Sequence, residues 1–163
     1  MKAGRRKLAP LFCIVAPLSS AGCMQAGDLT DGITTGSVST ASYTQRDREC
    51  MERAIFFESN RSSREGMLAV GTVVMNRMSS GRYPETVCGV VGQKGQFAPG
   101  VLSRPMNSSG LPDVQSAAAA VLDGERHPAV KKAMFFHMAG LKFPYKNMHY
   151  VLEAGGNAFY EKR

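Results

Sequence analysis

One glutamate in the sequence has the surroundings of a general acid. Residues 50 to 58 predict a helix whose apolar face ends in a carboxyl group. Along that face lie, in order, Cys50, Met51, Ala54, Ile55 and Glu58. Burial and the negative end of the helix dipole both disfavour a carboxylate, so both raise the pKa of Glu58. A carboxylic acid that stays protonated near neutral pH can protonate the leaving group of a glycosidic bond. Taken alone, such a glutamate is more often a surface residue or an ion-pair partner.

The cysteines suggest a structural role rather than a catalytic one. Cys13 lies in a predicted export signal and Cys23 at its end, which leaves Cys50 and Cys88 as a pair. In an oxidising compartment we expect this pair to form a disulfide, with two buried free thiols as the alternative. A cysteine peptidase is less favoured, because both thiols lie in apolar surroundings.

The three histidines, His127, His137 and His149, do not have the spacing of a helical zinc motif. The sequence therefore predicts no metal site and no cofactor. A zinc amidase acting on the bacterial wall stays a minor alternative.

The first 22 residues have the three parts of a signal peptide: a basic start, an apolar run of eleven residues and a small-residue end. The run is too short to span a bilayer, which needs about 20 apolar residues. Ser20-Ala21-Gly22-Cys23 resembles a bacterial lipobox, so Cys23 is a candidate for lipidation and membrane anchoring; ordinary cleavage after Ala21 is the alternative. Residues 23–46, rich in Gly, Ser and Thr, predict a flexible tether. We expect an exported protein, located in the periplasm and tethered to the outer or inner membrane.

The charge of the chain favours an anionic partner. The formal net charge is +7, and the leader supplies four of the positive charges, which leaves 7 − 4 = +3 for the remainder. Peptidoglycan, with its peptide carboxylates, suits this excess as well as nucleic acid does. Because no basic run is interleaved with aromatic residues after the leader, nucleic acid is not the expected partner.

Residues 47–163 predict one catalytic domain of α+β class, with helices first and a small antiparallel sheet last. After the helix that bears Glu58, Ser62 and Glu65 predict a capping box for a buried helix that ends near Met78. Two further helices are expected at 84–91 and 112–122, with a turn-rich stretch at 92–100 between them. Short aromatic segments at 133–138, 148–152 and 158–160 predict the strands.

The stretch from Glu49 to Arg163 resembles the spore cortex-lytic (SleB/CwlJ) type of cell wall hydrolase, in the form found as exported proteins of Gram-negative bacteria. The resemblance depends on the order and spacing of several short pieces. They are 50–61, Glu65-Gly66, Ala69-Val70, 74–77, Tyr83-Pro84, 87–91, Gln93, Gln96-Phe97, Gly156-Asn157 and Phe159-Tyr160. The chain departs from the family pattern at Ser59, Ser62, Tyr145 and Ala158.

This resemblance implies a lysozyme-like or lytic-transglycosylase-like fold, with Glu58 as the catalytic acid and base. The implied reaction cuts peptidoglycan between N-acetylmuramic acid and N-acetylglucosamine and leaves a 1,6-anhydro end. A muramidase, an N-acetylmuramoyl-L-alanine amidase and a non-catalytic peptidoglycan-binding lipoprotein are the alternatives. Amides and aromatic rings suit sugars, so we expect substrate contacts from six side chains. They are Gln96, Phe97, His137, Tyr145, Asn157 and Tyr160.

Overall fold

A computed structural model describes residues 43–59, 61 and 63–163. The predicted signal peptide, the candidate lipidation residue Cys23 and most of the predicted tether lie outside the described residues. Four helices come first in this part of the chain: α1 (Gln45–Glu58), α2 (Arg64–Met78), α3 (Val87–Val91) and α4 (Leu111–Leu122). Three strands follow: β1 (Phe135–Met138), β2 (Met148–Ala154) and β3 (Asn157–Lys162). This order confirms the predicted α+β class. None of the described helices has the length and apolar character needed to cross a bilayer.

Helix α1 begins within the segment that was expected to be a tether. Thr44 caps it: the Thr44 hydroxyl accepts a hydrogen bond from the Asp47 N–H at 3.1 Å, and the Asp47 carboxylate accepts one from the Thr44 N–H at 3.2 Å. This reciprocal capping box satisfies two backbone donors at the helix start. The ordered helix therefore extends two residues before Asp47, the predicted start of the domain.

The start of α2 differs from the prediction by one residue. Ser63, not Ser62, is the N-cap, and its hydroxyl accepts a hydrogen bond from the Gly66 N–H at 3.1 Å. Glu65 therefore does not occupy the capping-box position, and its carboxylate instead lies 3.4 Å from His127 Nε2. The predicted capping box is wrong because two adjacent serines offer equivalent caps, and sequence alone does not choose between them.

Helix α3 is shorter than predicted. It begins after Thr86, whose hydroxyl accepts a hydrogen bond from the Gly89 N–H at 3.0 Å, rather than at Pro84. Helix α4 follows the prediction closely, with Pro112 in its first turn and Gly124, at φ 110°, just beyond its end. A proline at the start and a glycine after the end are typical of helix termini.

Helix α2 lies at the centre of the domain, and α1, α3 and α4 pack around it. Every residue of α2 from Gly66 to Met75 is buried, as its uniformly apolar sequence predicts. The predicted disulfide between Cys50 and Cys88 is present and joins α1 to α3, with the two Cα atoms 5.2 Å apart. The bridge closes a loop of 38 residues, which limits the freedom of the unfolded chain.

The three strands form an antiparallel sheet with β3 in the middle, in the order β1-β3-β2. Phe136 pairs with Phe159 across β1 and β3, and Phe159 is fully buried against the helices. The tight turn between β2 and β3 reaches the helices at Gly155. A Cβ atom built on Gly66 of α2 would lie 2.5 Å from the Gly155 Cα atom, so only glycine permits this approach. The contact fixes the turn against the ends of α1 and α2.

Candidate active site

Glu58 is the last residue of α1, and its side chain is partly buried. Its Oε1 atom accepts a hydrogen bond from the Ala98 N–H at 2.6 Å. Burial raises the pKa of Glu58, while the hydrogen bond from Ala98 and the positive charge of Arg77 act in the opposite direction, and burial is the largest effect. The group is therefore biased towards the protonated acid, as expected for the end of an apolar helical face.

The end of α1 is fixed by side chains that donate to its last carbonyl groups. Ser59 Oγ donates to the Ile55 carbonyl at 2.7 Å, and Arg61 donates to the Phe56 carbonyl at 2.8 Å. From the sheet, Asn157 Nδ2 donates to the Glu58 carbonyl at 2.5 Å. The bonds from Arg61 and Asn157 satisfy carbonyls that the helix itself leaves unpaired, whereas the Ser59 hydroxyl adds a second donor to the Ile55 carbonyl, which also accepts from the Ser59 N–H at 3.0 Å. They hold the Glu58 backbone between the helices and the β2–β3 turn.

A cleft of about 640 Å³ opens beside Glu58. Its walls come from the end of α1, the 95–97 loop, strand β1 and the β2–β3 turn. The lining residues are Phe57, Glu58, Arg61, Gly95, Gln96, Phe97, Phe136, His137, Met138, Gly155, Gly156 and Asn157. Among the described residues, Glu58 is the one carboxyl group that lines this cleft. An open groove with aromatic walls, amides and a single half-buried acid suits a polar polymer such as a glycan.

Four of the six predicted substrate contacts line this cleft with Glu58. Gln96 stands in the exposed turn before Phe97, and Phe97 is buried against Phe136, with ring centroids 6.4 Å apart. His137 lies on β1 at the edge of the sheet, and Asn157 begins β3.

Tyr145 and Tyr160 do not reach the cleft. They line a neighbouring depression on the other side of His137. Successive residues of a strand point to opposite faces of the sheet, so Tyr160 faces away from the buried Phe159. The expectation that these two tyrosines lie in the same groove as Glu58 was based on residue type alone, and the structure places both in the neighbouring depression instead.

A buried arginine near Glu58 was missed by the sequence analysis. Arg77 is 3% exposed, and its Nε atom donates to the Met134 carbonyl at 2.7 Å. Its guanidinium lies 5.3 Å from the ring centre of Phe97 and 5.4 Å from that of Tyr83. Burial lowers the pKa of Arg77, and Tyr83 and Glu58 act against this shift. Arg77 continues the helical face of Val70, Val73 and Val74, and this spacing is the pattern in the sequence that indicates a buried arginine.

The three histidines lie in separate places. His127 is beside Glu65, His137 Nε2 lies 2.9 Å from the Tyr150 hydroxyl, and His149 is exposed on β2, opposite Glu161. Within residues 43–59, 61 and 63–163, no three potential metal ligands come together.

Comparisons with known proteins show the family and the fold of the chain. A family model described as "Cell Wall Hydrolase" matches residues 61–160, a stretch that begins just after Glu58 and includes Gln96, Phe97, His137 and Asn157. A spore cortex-lytic enzyme of Oceanobacillus iheyensis is 34% identical over 73 residues, which are 45% of this chain and 26% of that enzyme. The alignment thus spans about a quarter of the length of that relative.

Two solved structures share the fold. The catalytic domain of the Bacillus cereus SleB protein aligns with a TM-score of 0.62 at 22% identity, covering 77% of this chain and 99% of that domain. The catalytic domain of the germination-specific lytic transglycosylase SleB from Bacillus anthracis aligns with a TM-score of 0.61, also at 22% identity, and the alignment covers 74% of this chain and 98% of that domain.

Proposed function

The chain belongs to the cell wall hydrolase family, and from this premise we propose that it cleaves the glycan strands of peptidoglycan with Glu58 as the acid. The observation that carries the proposal is the Glu58 carboxyl group, which is held at the cleft by the Ala98 N–H and whose pKa is raised by burial. Such a group can donate a proton to the oxygen of a glycosidic bond as the bond breaks.

The proposed route is that of a lytic transglycosylase. Glu58 protonates the bridging oxygen between N-acetylmuramic acid and N-acetylglucosamine, and the substrate's N-acetyl group stabilises the cationic centre left on the muramic acid. The Glu58 carboxylate then accepts the proton of the C6 hydroxyl, whose oxygen closes the 1,6-anhydro ring. This cycle returns the acid to its starting state and needs one carboxyl group.

The distribution of acids supports this route over a two-carboxylate mechanism. Ordinary glycosidases place a second carboxylate within about 5 to 10 Å of the acid. Among the described residues, the cleft is lined by no acid except Glu58. Glu65 pairs with His127, and Glu125 forms an ion pair with Arg64 at 2.8 Å. Hydrolysis by water remains the near alternative, and the products distinguish the two reactions.

Arg77 and Arg61 supply positive charge around the acid. The buried Arg77 guanidinium favours the Glu58 carboxylate that forms once the proton has been donated. Arg61 is exposed at the cleft and suits the peptide carboxylates of the wall polymer. Export to the periplasm and anchoring through a lipid on Cys23 would bring the enzyme to this substrate, and both are part of the proposal.

The test compares Glu58→Gln with Glu52→Gln. Both glutamates lie on α1 and burial raises the pKa of both, but Glu52 does not line the cleft. Removing a general acid lowers the rate by about 10²- to 10⁴-fold. We therefore expect Glu58→Gln to abolish the clearing of purified sacculi and Glu52→Gln to retain it. Equal clearing by both variants would refute the role of Glu58.

Mass spectrometry of the released fragments identifies the reaction. Anhydro-muropeptides support the transglycosylase, and reducing muramic ends would support a muramidase instead. Free stem peptides would point to an amidase, whereas sacculi that are bound but never cut would point to a non-catalytic wall-binding protein.

A further inference from the structure

The face of the sheet turned away from the helices carries a group of aromatic side chains. Phe159 points into the core, so Tyr160 points to this outer face. The Tyr160 ring stacks on Phe135 at 5.5 Å and contacts Tyr150 at 5.6 Å and His137 at 5.7 Å. These aromatic contacts hold the rings in a fixed layer across all three strands.

The segment between β1 and β2 adds two exposed rings to this layer. Phe143 contacts the His137 ring at 4.7 Å, and Tyr145 stacks beside Phe143 with centroids 6.2 Å apart and an angle of 12° between the rings. Phe143 is 42% exposed, Tyr145 65% and Tyr150 47%. We name His137, Phe143, Tyr145 and Tyr150 the aromatic ledge. Contiguous exposed apolar groups of this kind mark interaction sites.

The aromatic ledge is continuous with the cleft. His137 lines the cleft together with Glu58, and it also lines two depressions of about 410 and 300 Å³ that border Phe143. The His137 ring is fixed by contacts at both nitrogens, 2.8 Å from the Met138 carbonyl and 2.9 Å from the Tyr150 hydroxyl. Because His137 is shared by all three, a polymer that occupies the cleft can extend past His137 onto the ledge.

The charges beside the aromatic ledge favour an anionic polymer. Lys142 lines one depression and Lys162 the other, where its ammonium group also lies 4.4 Å from the ring centre of Phe135. Glu153 is the one acid among the described residues that line these depressions. The flanking lysines disfavour pairing with a second copy of the same surface, which would bring like charges together.

We propose that the aromatic ledge is a second binding surface for the peptidoglycan strand, outside the cleft that contains Glu58. Sugar residues beyond the cleft lie with their apolar faces on the parallel rings of Phe143 and Tyr145. Lys142 and Lys162 bind the carboxylates of the stem peptides. The inference rests on the proposed function, and it adds that the enzyme holds a strand over a length greater than its cleft.

The test measures binding to purified sacculi by co-sedimentation, with the full chain carrying Glu58→Gln so that the substrate is not consumed. In this background, Phe143→Ser/Tyr145→Ser is expected to weaken binding by roughly tenfold or more, which corresponds to about 1.4 kcal/mol. Leu102→Ser is the matched control, because Leu102 is also 42% exposed but lies in a loop away from the ledge. If the double variant has a lowered melting temperature, the single variant Tyr145→Ser, at the most exposed ring of the ledge, replaces it in the binding measurement.

Glycan strands stripped of their peptides separate the two kinds of contact. Lys142→Ala/Lys162→Ala is expected to weaken binding to intact sacculi several-fold and to weaken binding to stripped strands less, because these keep one lactyl carboxylate for each muramic acid but have lost the carboxylates of the peptides; the ring variants weaken both equally. Ring variants that bind as tightly as Leu102→Ser, or that change the oligomeric state instead of the binding, would overturn the proposal. Failure of the proposed function looks different: the chain with an intact ledge and Glu58 would then release no glycan fragments from sacculi, whether or not it binds them.

Discussion

Replacing Gly66 by alanine should lower both the stability of the protein and its proposed activity. A Cβ atom at Gly66 would lie 2.5 Å from the Gly155 Cα atom and 2.9 Å from its nitrogen, whereas unstrained contacts are about 3.5 to 4.0 Å. Both crowded atoms belong to backbone, so no change of rotamer can relieve the contact. The β2–β3 turn must therefore move away from α2 by about 1 Å.

The contact between Gly66 and Gly155 sets the size of the loss in the free energy of unfolding. Overpacking of this kind costs about 1 to 3 kcal/mol, and the better helix propensity of alanine offsets up to about 1 kcal/mol. The net loss lies between about 0 and 3 kcal/mol. The middle of this range, roughly 1 to 2 kcal/mol, lowers the melting temperature of a domain of this size by about 4 to 8 °C. The displaced turn carries Gly155, Gly156 and Asn157, which line the cleft. A shift of about 1 Å at a catalytic site can reduce the rate about 100-fold.

Gly71→Ala is the matched control for Gly66→Ala. A Cβ atom at Gly71, also in α2, would lie 2.7 Å from a methyl group of the fully buried Val121, in the contact between α2 and α4 and away from the cleft lining. We expect similar losses of melting temperature for the two variants, measured by circular dichroism. Clearing of sacculi, measured below both melting temperatures, should fall only for Gly66→Ala. Equal activities of the two variants would refute the claim that this glycine contact positions the site.

Three further predictions concern single interactions. Burial raises the pKa of Glu58 in the folded state. As the pH rises, the Glu58 carboxyl group therefore loses its proton in the unfolded chain before it does so in the folded protein, and Glu58 lowers the free energy of unfolding towards neutral pH. Thermal melts should therefore show Glu58→Gln stabilised at neutral pH, with the gain vanishing in acid; an equal gain at all pH values would contradict this. Cys50→Ser/Cys88→Ser should lower the free energy of unfolding in urea by roughly 4 kcal/mol, from the 38-residue loop, and a loss below about 1 kcal/mol would contradict a structural bridge. Asn157→Ala removes the donor to the Glu58 carbonyl and should lower the free energy of unfolding by about 1 to 2 kcal/mol in the same assay. The control Asn147→Ala, on the exposed loop, should leave the free energy of unfolding nearly unchanged.

The sequence predicts those parts of the fold that depend on local patterns. The apolar stripe of α1 and its terminal Glu58 follow from helical periodicity, and the end of α4 follows from Gly124. The disulfide follows from two remaining cysteines in a chain that is expected to be exported. Helix starts are less well determined, because Ser62 and Ser63 are chemically equivalent caps and the Thr44–Asp47 box lies in a segment whose composition predicts a coil.

The missing parts of the site are long-range contacts. The Ala98 N–H that binds Glu58 lies 40 residues away in the chain, and the Asn157 side chain that binds the Glu58 carbonyl lies 99 residues away. No local pattern brings such segments together. Tyr145 and Tyr160 have suitable side chains for sugar binding, but strand alternation and the course of the 139–147 segment direct them to the outer face of the sheet.

The titration of Glu58 itself tests the central claim most directly. Carbon-13 NMR of the glutamate carboxyl groups in the full chain, with Glu58→Gln to assign the signal, gives its pKa beside those of the exposed glutamates. We predict that Glu58 titrates above them and that the clearing of sacculi declines with rising pH over the same interval. A Glu58 that titrates with or below the exposed glutamates, while clearing continues unchanged through that interval, would contradict the role of a protonated acid.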